Sequence, residues 1–346
     1  MFRILRIIPL LLCLPVLLFP DRLEAKTPAP TGNTCTGRNL LPELTAEERA
    51  RLETAAARHP YHEGNYWRAE KNGNVIHVIG TIHLPDPRLE ERVDRLWPLV
   101  SGVDEILLEA TPDTIRRLKE AMARDPGFLF IQQGPTLLEQ MEENEWQALS
   151  RALAARGIPP IMAAKLQPWF AMTLLSIPPC MQTPGGMPPE GVDALIMQRA
   201  EAEGLAMREL EPFDTLFRLM NKGTPEENLK QLRLALVTMG NPRKSEDALA
   251  TMMALYLAGR HRMIIEISYH MALAEGIAPE DLNAMKESME VDLLAGRNLN
   301  WMDVILPAAE EREIAVVVGA GHLSGDTGIL RLLENAGYEL VRQPRF

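Results

Sequence analysis

Val75-Ile-His-Val-Ile-Gly-Thr-Ile-His-Leu84 runs a β-branched stretch straight into a glycine and reaches a histidine three residues later. Far along the chain, Ala315-Val-Val-Val-Gly-Ala-Gly-His-Leu323 repeats the pattern: apolar strand, Gly319, two small residues, His322. Each copy reads as a buried strand that ends in a glycine turn. In sheets with parallel central strands, ligands bind in the crevice beyond the strands' carboxyl ends, where glycine permits a tight turn. If the two strands are neighbours, His83 and His322 converge there, and imidazole nitrogens converging on one point suit a divalent metal. Alternatively, each histidine merely caps its own strand end.

Working outward from the first copy, Asn65–Ala69 and Val75–Ile79 flank Lys71-Asn-Gly-Asn74, and Asn-Gly is the strongest short hairpin signal. Gly80 and His83 therefore belong to the second arm of a hairpin. A helix near Leu89–Val100 leads to Val103-Asp-Glu-Ile-Leu-Leu-Glu-Ala110, a short strand with Glu109 at its end. Strand, helix, strand at this spacing predicts a parallel neighbour. Glu109 would then be a further polar group at a strand carboxyl end, against the commoner reading of a solvated or arginine-paired glutamate.

Residues from Thr111 to Arg199 read as mostly helical and include Lys165-Leu-Gln-Pro-Trp-Phe170. Asp193 can cap a helix that runs to about Glu203. Leu205–Glu211 reads as a further strand with Glu211 at its end. Pro225–Ile305 looks wholly helical, with methionines as core filler; within it Arg297 and Trp301 stand at i and i+4 on one face. A helix near Gly328–Asn335 and a strand at Tyr338–Val341 follow the second motif. Upstream, Thr45 and Glu48 have capping-box form and predict a helix to about Ala57. The predicted fold is one α/β domain over 39–346. It has a central mixed sheet with an N-terminal hairpin, flanking helices and a mostly helical insertion over about 111–305.

Composition narrows the function. Arg3 and Arg6 precede an apolar run too short to span a bilayer comfortably, which predicts a signal peptide over residues 1–25. The alternative is an uncleaved membrane anchor. Residues 26–38 read as a Pro/Thr/Gly linker arm, and the product is expected to be periplasmic or secreted with no stable membrane insertion. The chain carries a net charge of -11, and loss of the leader leaves it more acidic, which argues against nucleic acid as a partner. Of three cysteines, Cys35 and Cys180 survive export and suggest one disulfide, with free or metal-binding thiols as the alternative. No P-loop, dinucleotide fingerprint, His-Glu-x-x-His or Gly-x-Ser-x-Gly occurs.

Taken together, Gly80-Thr-Ile-His83, Gly319-Ala-Gly-His322, Glu109, the Lys165/Pro168/Trp169 stretch, Gly191-Val-Asp193 and Arg297-Asn298 with Trp301 resemble the TraB/GumN family, relatives of the Tiki metalloproteases. The resemblance spans about residues 35 to 345. It implies an erythromycin-esterase/ChaN-like α/β domain with an active-site cleft at the paired motifs. It further implies His83 and His322 as metal ligands, and Glu109 as third ligand or general base. Arg297 would steady an oxyanion or hold a substrate carboxylate. Gly80, Gly319, Lys165, Trp169, Asp193, Glu211 and Asn298 complete the cleft candidates. The expected cofactor is a divalent metal, Mn, Co, Fe or Zn, and the expected substrate a peptide or protein. The competing readings are a non-catalytic protein that sequesters a peptide, haem or metal, and an accessory factor in polysaccharide export.

Overall fold

Among the described residues, six strands form one mixed sheet. A computed structural model describes residues 35–181, 191–220 and 222–344. The strands are β1 (Tyr66–Lys71), β2 (Asn74–Thr81), β3 (Glu105–Leu108), β4 (Ala206–Glu209), β5 (Ile314–Gly319) and β6 (Glu339–Arg342). Their order across the sheet is β4-β3-β5-β2-β1-β6. The first four of that order run parallel, and β1 then pairs antiparallel with both β2 and β6. The hairpin forms where Asn-Gly predicts it: Asn72 (φ 53°) and Gly73 (φ 86°) both take the left-handed conformation that a two-residue turn requires.

β2 and β5 lie at the centre and are covered on both faces, which is why their Val/Ile runs do not alternate with polar residues. On one face Ile79, Ala315 and Val317 pack with Leu89, Val93 and Leu96 of the helix Pro87–Val100 and with Val192 and Ile196 of the helix Val192–Glu203. On the other, Ile76, Val78, Val316 and Val318 meet Trp301 and Ile305 of the helix Gly296–Glu311 and Leu330 and Leu333 of the helix Ile329–Asn335. Burying such aliphatic side chains contributes about 1.5–3 kcal/mol each, so these two layers carry the fold.

The strand expected over Leu205–Glu211 is β4 (Ala206–Glu209), which interrupts the mostly helical insertion and returns to the sheet edge beside β3. Part of the insertion has its own apolar cluster, built on Leu137, Trp146, Leu149, Leu153, Leu175 and Leu232. The stretch read as wholly helical contains several separate helices and one widened π-helical segment, Met289–Ala295, which runs directly into the helix bearing Arg297. The predicted capping box is present: Thr45 accepts from the Glu48 amide and Glu48 reaches back.

Cys35 and Cys180 form a disulfide with Cα atoms 5.1 Å apart. The end of the linker arm is pinned as well: Thr36 bonds Glu246, Arg38 donates its amide to Asp247, and Leu40 donates to Thr251. The expected signal peptide, most of the arm and the loop before Gly191 lie outside the described residues. Among the described residues no helix is long and apolar enough to cross a membrane.

Candidate functional site

Because β2 and β5 are adjacent and in register, with Thr81 opposite Gly319, the two Gly-x-x-His turns meet at one end of the sheet. Their glycines are needed for different reasons. A Cβ on Gly80 would lie 2.6 Å from Leu323 Cδ1 and 3.1 Å from Ala320 Cα and Cβ, so its absence lets the second motif's turn pack against β2. A Cβ on Gly319 would lie 3.3 Å from both Glu109 Oε1 and His83 Nε2, and 3.8 Å from His322 Cδ2. Gly319 has φ -52°, so its backbone is ordinary, and what the missing side chain leaves is room. That room is a notch between His83, Glu109 and His322.

His322 is buried, and its proton position follows from its neighbours. Asn298 donates Nδ2 to the carbonyls of His322 (3.2 Å) and Thr327 (2.9 Å), which turns Asn298 Oδ1 toward His322 Nδ1 at 2.6 Å. Nδ1 must therefore carry the hydrogen and donate it, which leaves the Nε2 lone pair to accept from Arg297 Nη1 at 3.2 Å. Burial lowers the His322 pKa to about 4, the charges of Glu109, Arg297 and His83 acting as further influences, so the ring is neutral at physiological pH.

Arg297 is the hub. Its Nε donates to Glu211 Oε1 and Oε2 (3.1 and 3.0 Å), and Nη2 donates to Glu109 Oε2 and Glu211 Oε1 (both 2.6 Å). Nη1 donates to His322 and to the carbonyl of Leu293 (3.3 Å) in the π-helical segment. Every N–H of the guanidinium has a protein acceptor. The Trp301 ring lies 4.7 Å from Arg297 Cζ, as the i, i+4 spacing predicts, and Trp301 Nε1 donates to Glu211 Oε2 at 3.0 Å.

Glu109 Oε1 accepts the Gly319 amide at 2.6 Å. Burial alone would raise the pKa of Glu109. His322 in its charged acid form, Arg297, His83 and the Gly319 amide together hold it at about 2. Glu109 is an anion throughout the physiological range.

His83 is placed differently. Its side chain is 60 % exposed, and Nδ1 lies 3.0 Å from Asp193 Oδ1. Asp193 reaches it because Val192 donates its amide to the Ile82 carbonyl at 3.0 Å, docking the start of the helix Val192–Glu203 onto the end of β2. Gly191 makes that approach possible: a Cβ there would fall 2.1 Å from the Ile82 oxygen. The helix cap is thus Gly191, and Asp193, expected as the cap, sits in the first turn and serves His83 instead. Surrounding protein disfavours the imidazolium, but Asp193, then Glu109, outweigh that and raise the His83 pKa to about 9. No hydrogen bond from a described residue occupies His83 Nε2.

Lys165 and Trp169 are not brought to the notch. The Lys165 carbonyl accepts from Ile131, and Trp169 donates to the Phe128 carbonyl and packs on Phe217 in a separate aromatic cluster. Conversely, nothing in the Met-rich helical context of Tyr256 singles it out, yet its buried hydroxyl donates to the Gly80 carbonyl at 2.9 Å and fixes the first turn.

The donors around the notch have the right chemistry for a divalent metal, two tethered imidazoles and a carboxylate, but not the right availability. Arg297 takes the His322 Nε2 lone pair and one Glu109 oxygen, the Gly319 amide takes the other, and a fixed positive charge stands at the centre. Among the described residues, no three His, Cys, Asp or Glu side chains are assembled to hold a metal ion. As arranged, the expected metal does not fit.

No curated protein matches this chain. The model of the TraB/PrgY/gumN family matches residues 65–342, a span that runs from the hairpin to the final strand and takes in both Gly-x-x-His turns and Arg297. The chain belongs to the TraB/PrgY/gumN family.

Proposed function

We propose that this chain is an exported hydrolase that cleaves an acyl bond, of a peptide or protein by preference, with His83 as general base. The observation that carries the reading is the Asp193–His83 ion-pair contact: Nδ1 lies 3.0 Å from the carboxylate, and Nε2, which no described residue hydrogen-bonds, faces the notch beside Glu109. Neutral His83 Nε2 takes a proton from water, the water oxygen attacks the carbonyl carbon, and the proton passes from Nε2 to the leaving amine as the tetrahedral intermediate collapses. The Asp193 charge beside Nδ1 supports the imidazolium while it exists. Glu109 adds a second negative charge that favours the same ion. Arg297, with its donors engaged, acts as a positioning residue that fixes Glu109 and His322. The cysteine pair supports an oxidising, exported setting.

The reading is tested by a peptide-library cleavage screen with wild type and His83→Ala. Loss of a general base is expected to lower kcat by roughly 10²–10⁴-fold. Because Asp193 raises the His83 pKa, activity should climb as pH approaches about 9, and Asp193→Asn should move that limb toward the ordinary imidazole value. Cleavage unaffected by His83→Ala would overturn the assignment, and stoichiometric peptide retention without turnover would favour a binding protein.

A further inference from the structure

We propose that the Cys35–Cys180 disulfide is a reducible latch on the first Gly-x-x-His turn, because it ties together the two elements that hold that turn in place. One is the helix Pro242–Leu257, whose Tyr256 hydroxyl donates to the Gly80 carbonyl. The other is the start of the helix Val192–Glu203, where Val192 docks on the Ile82 carbonyl and Asp193 stands beside His83. As control of the turn's geometry the inference is independent of the chemistry at the notch; as regulation of cleavage it rests on the hydrolase reading.

From Cys35 onward, residues 35–40 lie along the helix Pro242–Leu257 as a strap. Alternate amides bond to it: Thr36 donates to Glu246, Arg38 to Asp247 and, one turn further on, Leu40 to Thr251. Between them Gly37 crosses the helix so closely that a Cβ would fall 2.0 Å from the Glu246 carbonyl oxygen. On the other side of the bridge, Cys180 belongs to the short turn Pro179–Met181, and Met181 shares a core cluster with Val192, Ile196, Met253 and Tyr256. The disulfide thus closes one apolar body on which both Tyr256 and Asp193 are mounted.

Both cysteines pack on this cluster only partly buried, and disulfides open to solvent are the labile, regulatory ones. The electrons come from a dithiol. One of its thiolates attacks a cystine sulfur and breaks the S–S bond, its second thiol resolves the mixed disulfide, and the products are two protein thiols and the reductant's own disulfide. A chain end that is no longer tied down frays. Peeling the strap takes an N–H donor from each of Asp247 and Thr251, which are buried beneath it. The helix must then shift to let water reach them, and Tyr256 moves with it.

The test reduces the folded, oxidised chain with dithiothreitol, thiol titration confirming that Cys35 and Cys180 are free. Trypsin should then cut after Arg38, and the Thr36 and Arg38 amides should exchange with solvent about 10-fold faster or more. The His83 imidazole nitrogen signals should move in NMR spectra, and cleavage should fall by up to about 10²-fold. Reoxidation of an uncut sample should restore each property, and Cys35→Ser/Cys180→Ser should behave as the reduced wild type. A strap that stays protected after full reduction, or a freed strap with unmoved His83 signals, would overturn the inference. Moved His83 signals with undiminished cleavage would overturn the regulation of activity alone. Cleavage by neither form would remove the hydrolase reading, while the His83 signals still decide for or against the latch.

Discussion

The paired glycines make a sharp test, because the same substitution in the same motif should fail in two different ways. At Gly80 an added methyl would lie 2.6 Å from Leu323 Cδ1, and Leu323 is fully buried, so the second motif's turn must shift. Overpacking of this kind costs about 1–3 kcal/mol, against a gain of roughly 0.4–1 kcal/mol from a less flexible unfolded chain. At Gly319 the backbone accepts alanine, and the nearest contacts are 3.3 Å, tight but relieved by small movements of Glu109 and His83. The two terms there nearly cancel. We therefore expect Gly80→Ala to unfold at lower urea with an unchanged m-value, and Gly319→Ala to match wild type within about 1 kcal/mol. Activity should reverse the order: a methyl in the notch displaces the reacting atoms and should cost on the order of 10²-fold, with Gly80→Ala affected less. Equal stability losses, or a fully active Gly319→Ala, would refute the claim that Gly319 is kept for room.

Three further outcomes follow from the geometry. Asn298→Ala leaves the buried Nδ1–H and carbonyl of His322 without their partner, and should cost about 1–3 kcal/mol for each orphaned group in urea unfolding. Glu109 has a folded pKa depressed to about 2, so the stability it contributes is complete above the ordinary carboxylate pKa and is lost as pH falls through about 2. The stability gap between wild type and Glu109→Gln should accordingly narrow between pH 4.5 and 2; a gap independent of pH would contradict the assignment. Cys35→Ser/Cys180→Ser removes a cross-link between positions 145 apart in sequence and should lower stability by about 2–5 kcal/mol, as reductant should in the wild type.

The parts of this site that were legible in the sequence are those fixed by local chemistry. Asn72-Gly73 declares a turn because both positions need positive φ, and the two Val/Ile runs declare buried strands because β-branched residues fill them, with His77 the one polar residue among them. Gly319 and His322 then follow from the strand end, and Trp301 from helical spacing. The roles of Asp193 and Arg297 were less accessible. Asp193 reads as a cap from its place at a helix start; only the docking of Gly191 onto the Ile82 carbonyl, a contact remote in sequence, turns it toward His83. Arg297 reads as a free cation until its acceptors are seen, and one of them, Leu293, belongs to a π-helical segment with no recognisable sequence signature. Lys165 and Trp169 show the opposite limit: the family resemblance offers them as cleft candidates without saying which part of the fold they join, and Trp169 packs in a separate aromatic cluster.

The strand order also governs how the molecule is assembled in time. β5 sits between β2 and β3, yet it is made long after both, so the early strands cannot pair with each other across the place it will fill. Until β5 arrives, β3 has only β4 beside it, and the hairpin of β1 and β2 has no parallel partner. Such high contact order slows folding and leaves apolar edges open during synthesis. It also means that His322 and the floor of the notch arrive with the strand that closes the sheet, so chemistry and completed folding switch on together.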